Sequence, residues 1–199
     1  MTAAQADLAG VRSEFTRSFR IDAPRVEDGA AIWRIARDSE VLDLNSSYSY
    51  LLWCRDFAAT SVVARDTRSV ASSDSGTDTG SGPGSGPDGA PIAFVTGYIR
   101  PERPEALVVW QVAVDRAHRG KGLAGTLLDA LTRRVTEEQG ITSVETTVTP
   151  DNIASDRMFH AYSERHGATL EREVLFDGGL FPDEGHQPEV LYRIGPLTT

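Results

Sequence analysis

Between Leu107 and Leu128 the chain reads LVVWQVAVDRAHRGKGLAGTLL, and its order of apolar and polar residues predicts a strand, a turn and a helix. Leu107–Val114 is apolar except at Gln111, as a strand buried on both faces would be. Asp115 and Arg116 break the run, and the basic glycine turn Arg119-Gly120-Lys121-Gly122 follows. Leu123, Leu127, Leu128 and Leu131 then recur on one helical face, and the helix is expected to reach about Gln139.

Upstream, Ser18–Ile21 predicts a short strand. Pro24 is expected to start a helix with Ala30, Trp33 and Ala36 turned inward. Leu42–Asn45 is a break, and Ser46 or Ser47 caps a second helix through Asp56. Thr60–Ala64 and Ile92–Ile99 read as strands, the second turning through Arg100–Pro104 into the central one. Downstream, Val144, Thr146 and Val148 alternate as a strand that Pro150 ends. Asp151 or Asn152 caps a helix through Arg165 with Ala154, Met158, Phe159 and Tyr162 on one face, and Gly167 closes it. Val174–Phe176 and Glu189–Ile194 complete a β-α-α-β-β-β-α-β-α-β-β order. That order predicts an α/β (α+β) fold, a mixed sheet with helices on both faces.

Two stretches carry no such pattern. Residues 1–17 are expected to be a flexible leader. Residues 68–90 are almost wholly Ser, Gly, Asp, Thr and Pro, and cannot offset their ordering entropy by burial. They are read as a disordered hairpin tip inside one domain spanning 18–196, because strand patterns continue on both sides.

Composition narrows the function. A net charge of -9 with no long basic run argues against nucleic-acid binding, and suits a cationic substrate. No window holds enough apolar residues to span a membrane. Cys54 is the only cysteine, so an internal disulfide is impossible and a reducing cytoplasm is expected. With one Cys and His118, His160, His166 and His186 scattered along the chain, no metal site is expected.

A strand, a basic glycine turn and a helix N-terminus form a phosphate cradle. The turn fails the P-loop pattern, because Gly122 stands where Ser or Thr is required. Gly120, Gly122 and Gly125 match a dinucleotide fingerprint by count, but the turn carries two cations and no βαβ unit of suitable length begins there. Arg119-x-x-Gly122-x-Ala124 after a strand instead resembles the pyrophosphate motif of the GCN5-related N-acetyltransferases, which bind acetyl-coenzyme A. The resemblance implies that family's mostly antiparallel sheet. It also implies coenzyme contacts from Val112, Val114, Arg119, Gly120, Lys121, Gly122, Ala124 and Asn152, with helix capping the competing role for Asn152. The implied reaction is direct attack of an amine on the thioester in a ternary complex. In the family a Tyr often stands where this chain has Phe159, which leaves the usual general acid missing; Tyr162 lies one turn further on.

DLNSSYSYLLWCRDF at 43–57, VVWQVAVD at 108–115, TVTPDNIASDRMF at 147–159 and GHQPEVLYRI at 185–194 resemble a narrower branch, the diaminobutyrate acetyltransferases of ectoine synthesis. This resemblance implies acetylation of the γ-amine of L-2,4-diaminobutyrate by a homodimer. It implies a substrate site of Asp43, Tyr48, Trp110, His186 and Glu189, with Asp43 and Glu189 holding ammonium groups and one of them passing on the amine proton. Trp110 would wall the pocket and Tyr48 orient the substrate. Two other classes fit the same turn: an acyl-coenzyme A sensor without activity, and a protein N-acetyltransferase with an open peptide groove.

Overall fold

Residues 19–67, 89–182 and 185–197 are described in the structure, a computed structural model. The leader over 1–17 and the stretch 68–88 lie outside the described residues. The strands are β1 Phe19–Asp22, β2 Val62–Asp66, β3 Pro91–Arg100, β4 Arg103–Val114, β5 Ser143–Val148, β6 Thr169–Phe176 and β7 Glu189–Gly195. The α-helices are α1 Gly29–Arg37, α2 Ser47–Asp56, α3 Leu123–Gln139 and α4 Ile153–Arg165. Their order is the one the apolar pattern predicts. One sheet holds all the described strands, in the order β1-β2-β3-β4-β5-β7-β6.

The apolar stripe of α3 explains one face of that sheet. Leu123, Leu127, Leu128, Leu131 and Val135 pack with Phe159 and Tyr162 of α4 on Val62, Val95, Leu107, Val109 and Val144. Each buried leucine contributes about 1.5–3 kcal/mol. On the opposite face, Ile32, Ile35 and Ala36 of α1 and Tyr50 and Cys54 of α2 cover Val63, Phe94 and Ala113. No helix among the described residues is long and apolar enough to cross a membrane.

Every strand pair is antiparallel except β4 with β5. That parallel pairing covers only Ala106–Val108 against Ser143–Glu145; beyond it the two strands part. Buried Glu145 sits at the fork, bonded by Arg103 at 2.6 Å, Arg100 at 3.1 Å and Arg193 at 3.3 Å. The carboxylate thereby ties β3, β4, β5 and β7 together where the sheet opens.

Three boundaries differ from the sequence reading. Pro24 does not start a helix: Val26–Asp28 is a 3-10 turn and α1 begins at Gly29. Asp28 accepts the Arg25 N–H at 2.7 Å and a fork from buried Arg65 at 2.8 and 2.6 Å, which holds this turn on β2. The inward positions of α1 are consequently Ala31, Ile32, Ile35 and Ala36, while Ala30 is exposed. β4 starts at Arg103, and β6 starts at Thr169 rather than Val174. β6 is an edge strand with almost every residue exposed, so no burial period marks its length.

Candidate active site

Past the fork, β4 keeps its pairing with β3 but loses β5. The Asp115 N–H donates to Ile92 of β3, so by strand alternation the peptide groups of Val112 and Val114 face the open side. β4 also bulges. Thr96 faces Gln111 and Gly97 faces Val109, which leaves Trp110 as the extra residue.

Two cavities occupy the opening. The first, about 350 Å³, is lined by Val112, Val114, Arg119, Gly120, Gly122, Ala124, Asn152, Ser155 and Met158 among others. Gly120 and Gly122 lie at φ +77° and +73°, left-handed backbone that only glycine adopts without cost. Gly122 is also the N-cap of α3, and no side chain caps that first turn, so its N–H groups are presented to a ligand anion. Arg119 is held beside them by its own bonds, Nε to the Val114 carbonyl at 3.0 Å and an Nη to the Asp38 carbonyl at 3.1 Å. Asn152 caps α4 by accepting from the Ser155 N–H at 3.1 Å, so capping and cavity lining coexist in one residue. Lys121 is the exception among the coenzyme residues expected from sequence. It is exposed, outside this lining, with its ammonium 3.5 Å from the Ala117 carbonyl.

The second cavity, about 600 Å³, shares Val41, Leu42 and Asn152 with the first. Asp43, Trp110, His186 and Glu189 all line it, although they come from the α1–α2 loop, β4, the β6–β7 loop and β7. One oxygen each of Asp43 and Glu189 and a ring nitrogen of His186 lie within 4.8 Å of one another, so the two carboxylates can grip a cation with the imidazole beside it. Trp110 is a fixed wall, because Trp53 of α2 stacks on it at 3.9 Å and is itself packed against Phe57 at 4.7 Å.

Tyr48 is not among the residues that line this cavity. It is 64% exposed on α2, whereas Tyr50 is fully buried. A helix turns about 100° per residue, so positions two apart face nearly opposite ways. Tyr50 is a residue that the sequence reading passed over, and so is its partner Gln111. The Tyr50 hydroxyl donates to Gln111 Oε1 at 3.0 Å, and Gln111 Nε2 donates to the Asp43 carbonyl at 2.9 Å. Burial pushes the Tyr50 pKa above its ordinary value, so the hydroxyl stays a donor. The one polar residue in the apolar run of β4 thus carries the tether of the Asp43 loop; its isolation in that run was the available signal.

Phe159, at the family's tyrosine position, and Tyr162, the possible substitute for it, line neither cavity. Phe159 is buried in the core beside Tyr192. Tyr162 is fully buried, lines a separate cavity between α3 and α4, and has its pKa pushed up to about 12 by burial.

Residues 78–163 match the Acetyltransferase (GNAT) family. An L-2,4-diaminobutyric acid acetyltransferase of Streptomyces anulatus is 67% identical over the full length of both chains. The chain belongs to the diaminobutyrate acetyltransferase family. A relative from Streptomyces coelicolor is 59% identical, covering 100% of this chain and 98% of its own. Among solved structures, the diaminobutyrate acetyltransferase of Paenibacillus lautus, in complex with L-2,4-diaminobutyric acid and coenzyme A, is 32% identical with a TM-score of 0.75. That match covers 91% of this chain and 96% of the other. Ard1 from Thermoplasma volcanium, 18% identical with a TM-score of 0.65 over 89% and 98% of the two chains, shares the fold.

Proposed function

We propose that this chain transfers the acetyl group of acetyl-coenzyme A to the γ-amine of L-2,4-diaminobutyrate, giving N4-acetyl-L-2,4-diaminobutyrate for ectoine synthesis. The observation that carries the reading is the shared wall of Val41, Leu42 and Asn152 between a phosphate-turn cavity and a cation-gripping one. The relatives' names and the coenzyme A and diaminobutyric acid in the Paenibacillus lautus complex support it. Acetyl-coenzyme A would lie along the unpaired edge of β4, its pyrophosphate at the first turn of α3 and its thioester near Val112.

Regioselectivity is the demanding part. Both amines are primary, and the α-amine, next to the carboxyl group, loses its proton more readily. The γ-amine must therefore win by position. Asp43 and Glu189 would hold the α-ammonium in its protonated, non-nucleophilic form, while Trp110 limits how the chain can turn. Product NMR tests this directly: γ-acetylated product is expected, and predominantly α-acetylated product would refute the pocket assignment. Asp43→Asn and Glu189→Gln should each lower kcat/KM for diaminobutyrate by about tenfold or more, equal to ~1.4 kcal/mol.

The reading includes a homodimer working in the cytoplasm. Exposed Val174, Leu175 and Phe176 on edge strand β6 form an apolar strip of the kind a second copy covers. Light scattering on the full chain decides the oligomeric state, with a monomer at micromolar concentration removing that part.

A further inference from the structure

Beside the two carboxylates that grip the cation stands one imidazole, held in place by contacts of its own. His186 sits on the β6–β7 loop, its ring stacked flat on Phe181, centroids 3.6 Å apart and planes 8° from parallel. Its Nδ1 lies 2.6 Å from the Gln187 carbonyl oxygen. A carbonyl only accepts, so Nδ1 carries a proton, and the lone pair of the uncharged tautomer falls on Nε2. The loop backbone is fitted as well: a β-carbon on Gly178 would collide with the His186 carbonyl. Stacking, tautomer and backbone all fix one lone pair.

We propose that Nε2 of His186 takes the proton from the substrate's reacting amine, and that Phe181 and Gly178 are positioning residues for it. This rests on the acetyltransferase reading above. Among the described residues, the carboxylates around the cavity are Glu40, Asp43, Asp151 and Glu189, and no Lys or Arg lines it. They draw the substrate in as an ammonium ion, which has no lone pair to attack with. Proton exchange near neutral pH is the ordinary chemistry of an imidazole, so of these side chains His186 is the one suited to take an amine proton. In the step, one ammonium N–H bond breaks and its proton passes to Nε2. The freed nitrogen pair attacks the thioester carbonyl carbon. The C–S bond then breaks, the sulfur leaves with its electron pair, and a second amine proton reaches it through solvent. Imidazolium returns its proton to water, so one proton is released per acetyl transferred.

The test is kinetics across pH with acetyl-coenzyme A and diaminobutyrate on the full-length protein. His186→Gln should lower kcat by at least about a hundredfold while KM for diaminobutyrate moves less than about threefold. Its kcat should climb with pH where the native enzyme has levelled off, since solvent must then supply the base. Phe181→Leu should lower kcat by about tenfold with KM kept, and Phe181→Tyr, which keeps the stacking ring, should restore it. If His186→Gln keeps the native pH profile, or if only KM changes, His186 binds substrate and the proposal falls. Should His186→Gln fail to fold, as judged by circular dichroism, the Phe181 pair decides: equal kcat in both variants overturns the positioning role and with it the assignment. Native protein that binds coenzyme A and yet does not acetylate diaminobutyrate would instead overturn the acetyltransferase reading.

Discussion

Replacing Gln111 by Leu should separate the two jobs its side chain does. The amide is 5% exposed, accepts from fully buried Tyr50 and donates to the Asp43 carbonyl. Leucine fits the apolar strand but makes neither bond. Loss of its Gln111 partner costs the Tyr50 hydroxyl, with Asn45 still beside it, about 1–3 kcal/mol, and the lost bond to Asp43 costs about 0.5–1.5 kcal/mol. The Asn45 side chain still donates to that carbonyl at 3.2 Å, which puts the second figure at its lower end. A total of about 1.5–3.5 kcal/mol converts to a fall in Tm of roughly 3–14 °C for a chain of this size. Tyr50→Phe is the control, because it removes the hydroxyl and leaves the Gln111–Asp43 bond. Thermal unfolding should therefore register both variants, while KM for diaminobutyrate should rise only in Gln111→Leu. A double-mutant cycle should give a coupling of about 0.5 kcal/mol or more between the two positions. If Gln111→Leu loses stability but binds and acetylates diaminobutyrate as Tyr50→Phe does, the tether to Asp43 has no part in the site.

Arg65→Met should destabilise by about 3–5 kcal/mol in urea unfolding, since it leaves the Asp28 carboxylate, 3% exposed, without its forked partner; a loss below 1 kcal/mol would show that the site relaxes to water. Phe159→Tyr buries a hydroxyl in the core and should cost about 1–3 kcal/mol without raising kcat. A tenfold faster rate would instead mean that the new hydroxyl reaches the leaving sulfur. Tyr162 has its folded pKa raised from 10.0 to about 12 by burial, so its contribution is fully present below pH 10 and is lost as the pH climbs toward about 12. Tyr162→Phe should flatten that alkaline limb in urea titrations, and an unchanged limb would assign it to other groups.

Much of the fold was legible because local pattern and tertiary burial agree. Leu123, Leu127, Leu128 and Leu131 are all buried in the structure, Ser46 and Asn152 cap their helices, and Gly167 lies at φ +60°. What escaped depends on partners distant in sequence. The start of α1 is set by Arg65, 37 residues from Asp28. The bulge at Trp110 exists only in the register of β4 against β3, and no run of residues along β4 encodes it. Tyr48 and Tyr50 are equivalent on paper until the helix phase is known. Gln111 looked like an interruption because its meaning lies in Tyr50 and Asp43. The Phe181–His186 stack likewise closes within a loop that shows no periodic pattern.

The shared wall also bears on the order of events. An enzyme can carry acetyl on a nucleophile of its own and release coenzyme A before the amine binds, or it can hold both substrates together. Cys54 is the sole thiol in the chain, and it lies in the core between α1, α2 and the sheet, outside the lining of both cavities. Burial, assisted by the nearby Asp28 charge, pushes its pKa up to about 12, so the thiolate is scarce at neutral pH. The residues common to the two cavities are Val41, Leu42 and Asn152, and none of these side chains is a nucleophile for acyl transfer. With the sole thiol buried away from both cavities, direct transfer in a ternary complex is the route we propose. Initial-velocity plots against both substrates should accordingly intersect, Cys54→Ala should keep its turnover, and no acetylated protein should accumulate when acetyl-coenzyme A is supplied alone. Parallel plots together with a covalent acetyl adduct detected by intact-protein mass spectrometry would require a nucleophile elsewhere in the chain and would overturn the direct route.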